Sequence, residues 1–110
     1  MGRSGLGEFE HQVLLAILRH GKESYSVPIV AELEERTGRE VATSAVYIAL
    51  RRLEKRGLLR SRIERPEQSG EPYPRRYFAI TKAALEPLKE ARRSYLSLWE
   101  GLEPILDDQT

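Results

Sequence analysis

Residues 43–65, TSAVYIALRRLEKRGLLRSRIER, constrain the fold of this chain more than any other stretch. Val46, Ala49, Leu50 and Leu53 recur at helical spacing, which predicts a helix from Thr43 to Arg56 with one face in a core. Thr43 or Ser44 is the expected N-cap and Gly57 the stop. The other side of this helix carries Ser44, Tyr47, Arg51 and Lys55, with Ile48 and Arg52 beside them. A helix anchored by one side, and polar, aromatic and cationic on the other, is suited to entering a nucleic-acid groove.

Composition decides whether that basic run is placed or generic. The formal net charge is only +1. Glu8 to Glu40 holds seven acids against four Lys or Arg, whereas Arg51 to Arg65 holds seven Lys or Arg against two acids. A basic block in a near-neutral chain is a local feature. The plain alternative is a solvated helix face followed by a solvated strand.

The flanking sequence turns this helix into part of a motif. Glu8 to His20 reads as a first helix, with Phe9, Val13, Ala16, Ile17 and His20 on one side, Leu14 and Leu18 widening the apolar face, and Gly21 as its cap. The residues as far as Leu6 are expected to be loose, and Lys22 to Tyr25 is a short turn. Ser26 reads as the N-cap of a second helix with Pro28 in its first turn; Ile29, Val30, Leu33 and Thr37 face inward, and Gly38 ends it. Two helices joined by a short connector, the second cationic, match a helix-turn-helix. Leu58, Leu59, Ser61 and Ile63 then read as a strand, PEQSGEPYP (66–74) as turn chemistry, and RRYFAIT (75–81) as a second strand. A recognition helix followed by a hairpin is the layout of a winged helix.

The last segment has a different logic. Leu85, Leu88, Arg92, Tyr95, Trp99, Leu102 and Leu106 form a heptad seam interrupted only by Arg92, on a helix capped by Thr81 and kinked or ended by Pro104. Such a helix needs a partner, and pairing with a second copy is the favoured reading, with Leu14 and Leu18 of the first helix meeting the partner's last helix. The alternative is packing back on its own domain. The expected architecture is mainly α with a small β-hairpin: a winged helix-turn-helix DNA-binding domain over residues 1–81 and a C-terminal dimerisation helix over 82–110.

For DNA binding the chain offers Thr43, Ser44 and the helix N-terminus to a base or phosphate, Tyr47 to a phosphate, Arg51 to guanine or phosphate, and Arg52 and Lys55 to phosphates. Arg62, Arg65, Arg75 and Arg76 on the wing would track the backbone, although strand alternation forbids all four from facing it together. The chain has no asparagine and the recognition helix no glutamine, so the amide-to-adenine contact is missing there. Ala45 or Ile48 against thymine methyls, and DNA shape, would share the readout. The aromatic pair Tyr95 and Trp99, with Leu88 and Leu102, marks either a plain dimer seam or a slot for a flat effector between two subunits.

Other function classes find little support. There is no cysteine, hence no disulfide, thiolate metal site or Cys nucleophile, which fits a reducing compartment. His11 and His20 are too far apart on one helix to share a metal, and no serine has a recognisable catalytic partner, so no enzyme activity, metal or cofactor is expected. No apolar run reaches about 18 residues, and the N-terminus lacks a signal peptide's apolar segment; the expected place is the cytoplasm. The competing function is a winged helix whose basic face meets an acidic protein partner.

The segments LGEFEHQVLLAIL, YSVPIVAELEERTGREV, SAVYIALRRLEKRGLL and RRYFAIT together resemble the PadR family of transcriptional regulators. The resemblance spans residues 6 to about 82 and extends to the last helix in length and aromatic content. It implies a dimeric winged-helix repressor of the form with a single C-terminal helix, in which paired last helices make the dimer and some members bind small aromatic molecules between subunits. It also implies a phosphate contact from Tyr47. The chain departs from the pattern in two ways: Ser26 and Ala84 stand where glycine is common, and the wing carries Glu67 and Glu71, which weaken close approach to phosphates.

Overall fold

Three helices and a small sheet share one core, and a longer helix leads away from it. The computed structural model describes residues 5–107, so the looseness expected of the N-terminus falls partly outside it; within it, Leu6 packs against the core. The order is α1 (Glu8–His20), β1 (Glu23–Ser24), α2 (Ser26–Thr37), α3 (Thr43–Lys55), β2 (Leu59–Glu64), α4 (Pro66–Ser69), β3 (Arg75–Ile80), a 3-10 turn (Lys82–Ala84), α5 (Leu85–Trp99) and α6 (Glu103–Asp107).

The core follows the apolar periodicities. Val13, Leu14 and Ile17 of α1, Ile29 and Leu33 of α2, and Val46, Leu50 and Leu53 of α3 are buried together with Phe78 of β3. Each such side chain contributes roughly 1.5–3 kcal/mol of transfer free energy. Thr37, expected inside, is exposed and returns its hydroxyl to the Leu33 carbonyl at 2.7 Å. The expected caps also move by one residue. Tyr25 and Ala42 occupy the N-cap positions of α2 and α3 with no side-chain cap bond, and Ser26 and Thr43 lie inside the first turns. Gly38 closes α2 in the left-handed region at φ 71°, where a side chain would be strained. Glu34 accepts the Val41 N–H at 3.0 Å and so braces the connector into α3.

Two short elements escape the sequence pattern. Glu23 and Ser24 form a strand, not a turn, pairing with Ala79 and Phe78 of β3 and making a three-stranded antiparallel sheet of order β1-β3-β2. Two residues cannot display a period of two, so the strand is visible only through its partner. The wing tip contains one helical turn, α4, started by Pro66 and ended by left-handed Gly70.

The C-terminal helix divides into an anchored and a free part. Thr81 does not cap it with its side chain; the hydroxyl instead donates to the Gly57 carbonyl at 2.7 Å, tying this segment to the end of α3. Ala84 and Leu88 belong to the core, so Leu88, expected on a seam, packs on its own domain with 8% exposure. Beyond it, Tyr95 is 62% and Leu98 73% exposed. The heptad seam does not run on to Leu102 and Leu106, because α5 ends at Trp99 and Gly101 turns at φ 82°. Pro104 explains the position of the break, since its ring would collide with the carbonyl four residues earlier, at Glu100. The Cα radius of gyration is 16.2 Å, against about 13 Å for a compact chain of this length.

Candidate nucleic-acid interface

The exposed side of α3 is built by the core on its other side. With Val46, Ala49, Leu50 and Leu53 buried, helical geometry turns Thr43, Ser44, Tyr47, Ile48, Arg51, Arg52 and Lys55 to solvent. Thr43 and Ser44 stand free at the helix N-terminus, with no hydrogen bond to either hydroxyl among the described residues. Tyr47 is 39% exposed. Its ring meets Phe78 edge-on at 6.3 Å, which fixes it between α3 and β3, while its hydroxyl accepts from Arg51 Nη1 at 3.0 Å. Arg51 also lies 3.4 Å, Nε to Oε1, from Glu54. Arg52 and Lys55 make no ion pair among the described residues.

The sheet sorts the wing arginines by face. In the β2–β3 register Ser61 pairs with Phe78 and Ile63 with Arg76, whereas Arg62 pairs with Tyr77 and Glu64 with Arg75. Alternation therefore places Arg76 on the α3 side, where its Nη1 donates to Ser61 Oγ at 2.9 Å. Arg62 and Arg75 lie on the opposite side, stacked in a ladder. Arg75 sits 4.2 Å over Tyr25, Tyr25 meets Tyr77 edge-on, and Arg62 sits 4.6 Å over Tyr77. Arg62 is also bound by Glu23 and Glu64, and Arg75 by Glu71. The Arg62 guanidinium holds Glu23 below the ordinary carboxylate range. Thus the structure brings Arg76 to the recognition helix but not Arg62 or Arg75. Arg65, at the N-cap of α4, is exposed at the wing tip without an ion pair among the described residues.

The basic block is accordingly less free than its count implies. Glu10 takes Arg56 at 3.1 Å, and Glu23 takes Arg62, so acids from the N-terminal half cancel part of it. Glu54, Ser61, Tyr25 and Tyr77 emerge as organising residues that sequence reasoning passed over. Their signals were weak: Glu54 and Ser61 meet only because the chain reverses at Gly57, φ 81°.

The sequence profile of the transcriptional regulator PadR-like family matches residues 14–90. The chain belongs to this family. The family consists of transcriptional regulators, not enzymes. A PadR family transcriptional regulator from Eggerthella lenta is 28% identical, with a TM-score of 0.67 over 86% of this chain and 80% of that one. A PadR-like transcriptional regulator from Bacillus cereus shares the fold at 24% identity and a TM-score of 0.70, over 89% of this chain and 90% of the other. Bacillus subtilis PadR, solved in complex with operator DNA, shares it at 19% identity and a TM-score of 0.62, covering 74% of this chain and 45% of that one. No curated protein sequence matches. No described helix is long and apolar enough to cross a membrane, and no group of three or more potential metal ligands gathers among the described residues.

Proposed function

We propose that this PadR-family chain is a cytoplasmic, homodimeric repressor that binds a pseudo-palindromic DNA operator. The observation that carries the reading is the exposed stripe Thr43, Ser44, Tyr47 and Arg51 on a helix whose other side is locked in the core. Hydroxyls at the helix N-terminus meet a base edge or a phosphate, and Tyr47 and Arg51 extend the contact along the groove. Arg52, Lys55, Arg65 and Arg76 hold phosphates. Arg62 and Arg75 support the wing through their stacks and reach DNA only at its edge. That a distant relative was solved with operator DNA favours the same use of the fold here.

Residues 1–81 act as the reading head and 82–110 as the pairing arm. Tyr95, Leu96 and Leu98 line the free part of α5, and an open cleft of 340 Å³ between α1 and α5 is bordered by Leu15, Leu18, Leu88, Tyr95 and Leu96. In this reading the partner's α5 fills this face, and the dimer reads two half-sites about one turn of DNA, roughly 34 Å, apart. Tyr95 and Trp99, edge-on at 6.5 Å, form with their copies a slot for a small aromatic effector.

Selection of bound duplexes from a random pool tests this reading: a two-fold symmetric consensus is expected. Affinity for it falls roughly a thousandfold or more between 50 and 200 mM salt if six phosphates are neutralised. Failure to enrich any duplex, or enrichment of an asymmetric one by a monomer, would overturn it. Quenching of Trp99 by planar aromatics reads out the effector slot.

A further inference from the structure

Glu54 is the one acid on α3, and it does not behave as a solvated residue. Its Oε2 accepts from Ser61 Oγ at 2.7 Å. Its Oε1 is buried with no hydrogen bond among the described residues, facing Arg51 Nε at 3.4 Å in an ion pair without hydrogen-bond geometry. Ser61 Oγ in turn accepts from Arg76 Nη1 at 2.9 Å. One carboxylate therefore binds the cation of the recognition helix directly and the cation of the wing through a single hydroxyl.

We propose that Glu54 is a specificity-determining residue, an internal competitor for the two arginines that a DNA phosphate would otherwise take. The inference rests on the DNA-binding reading above. Arg51 is held at both ends, by Tyr47 Oη and by Glu54. A phosphate in an arbitrary register must draw it away from the Tyr47 hydroxyl and from the carboxylate 3.4 Å away, and must approach that carboxylate's charge. An operator that offers Arg51 a base edge in its held orientation escapes that cost. Glu54 thus lowers binding to random sequence more than binding to the operator, and fixes the angle between α3 and the wing.

The test measures the dimer's affinity for the selected operator and for a scrambled duplex across a salt series. Glu54→Gln keeps an acceptor for Ser61 and removes the charge. It should tighten scrambled-duplex binding roughly tenfold and steepen the salt slope by about 1–2 per dimer. Operator binding should tighten less than threefold, so the specificity ratio falls. The gain should vanish in Glu54→Gln/Arg51→Ala. Equal tightening on both duplexes, or an unchanged ratio and slope, overturns the proposal while leaving DNA binding intact. A wild-type protein that binds neither duplex overturns both. If Glu54→Gln fails to fold, Ser61→Ala frees Arg76 alone and must still lower the ratio about twofold; an unchanged ratio then overturns the proposal.

Discussion

Helices α3 and α5 are amphipathic at the same period, yet they face the surroundings in opposite ways. On α3 the apolar stripe goes inward and a polar, cationic stripe goes outward. On α5 only Leu88, near its start, goes inward, and the apolar residues Tyr95, Leu96 and Leu98 are left outside. A helix that has satisfied its apolar face internally can present charge to a polyanion. A helix that has not must satisfy that face with another protein surface. The same periodicity therefore leaves two different surfaces outside, one cationic and one apolar, and burial is what separates them; in the reading proposed above the first meets DNA and the second another copy of the chain.

Three experiments bear on that contrast, and a fourth on the ion pairs of the domain that anchors α3. The largest effect is expected from core truncation on the anchored helix. Leu53→Ala should lower unfolding free energy by about 2–5 kcal/mol, while Leu98→Ala should change it by no more than about 0.5 kcal/mol. Urea denaturation at a protein concentration low enough to keep the chain monomeric measures both; similar losses would erase the contrast.

Next comes charge on the free face. Tyr95→Glu with Leu98→Glu should weaken self-association by about 2–4 kcal/mol, seen in sedimentation velocity as a monomer with native circular dichroism. A persistent dimer would move the interface away from α5.

On the outward stripe of α3, Arg51→Ala should cost about 1–3 kcal/mol in operator affinity, and Tyr47→Phe about 0.5–1.5 kcal/mol, with little change in melting temperature. Fluorescence anisotropy with labelled operator reads these values. A large stability loss with unchanged affinity would make the pair structural.

The smallest effect concerns acid. Arg36 above all holds the Glu32 carboxyl below its ordinary 4.5, and Arg62 does the same for Glu23. A carboxyl whose folded pKa is depressed contributes stability that is present above pH 4.5 and is lost as pH falls through the lowered value. Glu32→Gln and Glu23→Gln should therefore flatten the melting-temperature decline below pH 4.5, and an unchanged decline would show that these pairs are too exposed to matter.

Much of the anchored helix was legible beforehand. Val46, Ala49, Leu50 and Leu53 announce its buried face, Gly57 announces its end, and the observed Thr43–Lys55 stops one residue short of the expected limit. The hairpin was legible too, because Tyr77, Phe78 and Ile80 favour strands and prolines punctuate the turn. The fate of individual charges was not. Arg62 and Arg75 read as free cations in sequence, and become stacked, paired supports because β1 brings Glu23 and Tyr25 alongside Tyr77. The seam was legible as a period but not as a surface: Leu88 sinks into the core, and the break at Gly101 separates Leu102 and Leu106 from Tyr95 and Trp99.

What the sequence determined by itself was the three core helices, the two long strands and the side of each core helix that turns inward, because hydrophobic periodicity and glycine or proline punctuation act over a few neighbouring residues. What only the tertiary structure decided was the pairing of distant groups: β1 with β3, Glu10 with Arg56, Glu23 with Arg62, and Arg76 with the Ser61 and Glu54 pair that joins wing to helix. Those pairings depend on strand register and on where the chain reverses. A one-residue shift in register would exchange the two faces of the wing and send Arg76 to the side now held by Arg75.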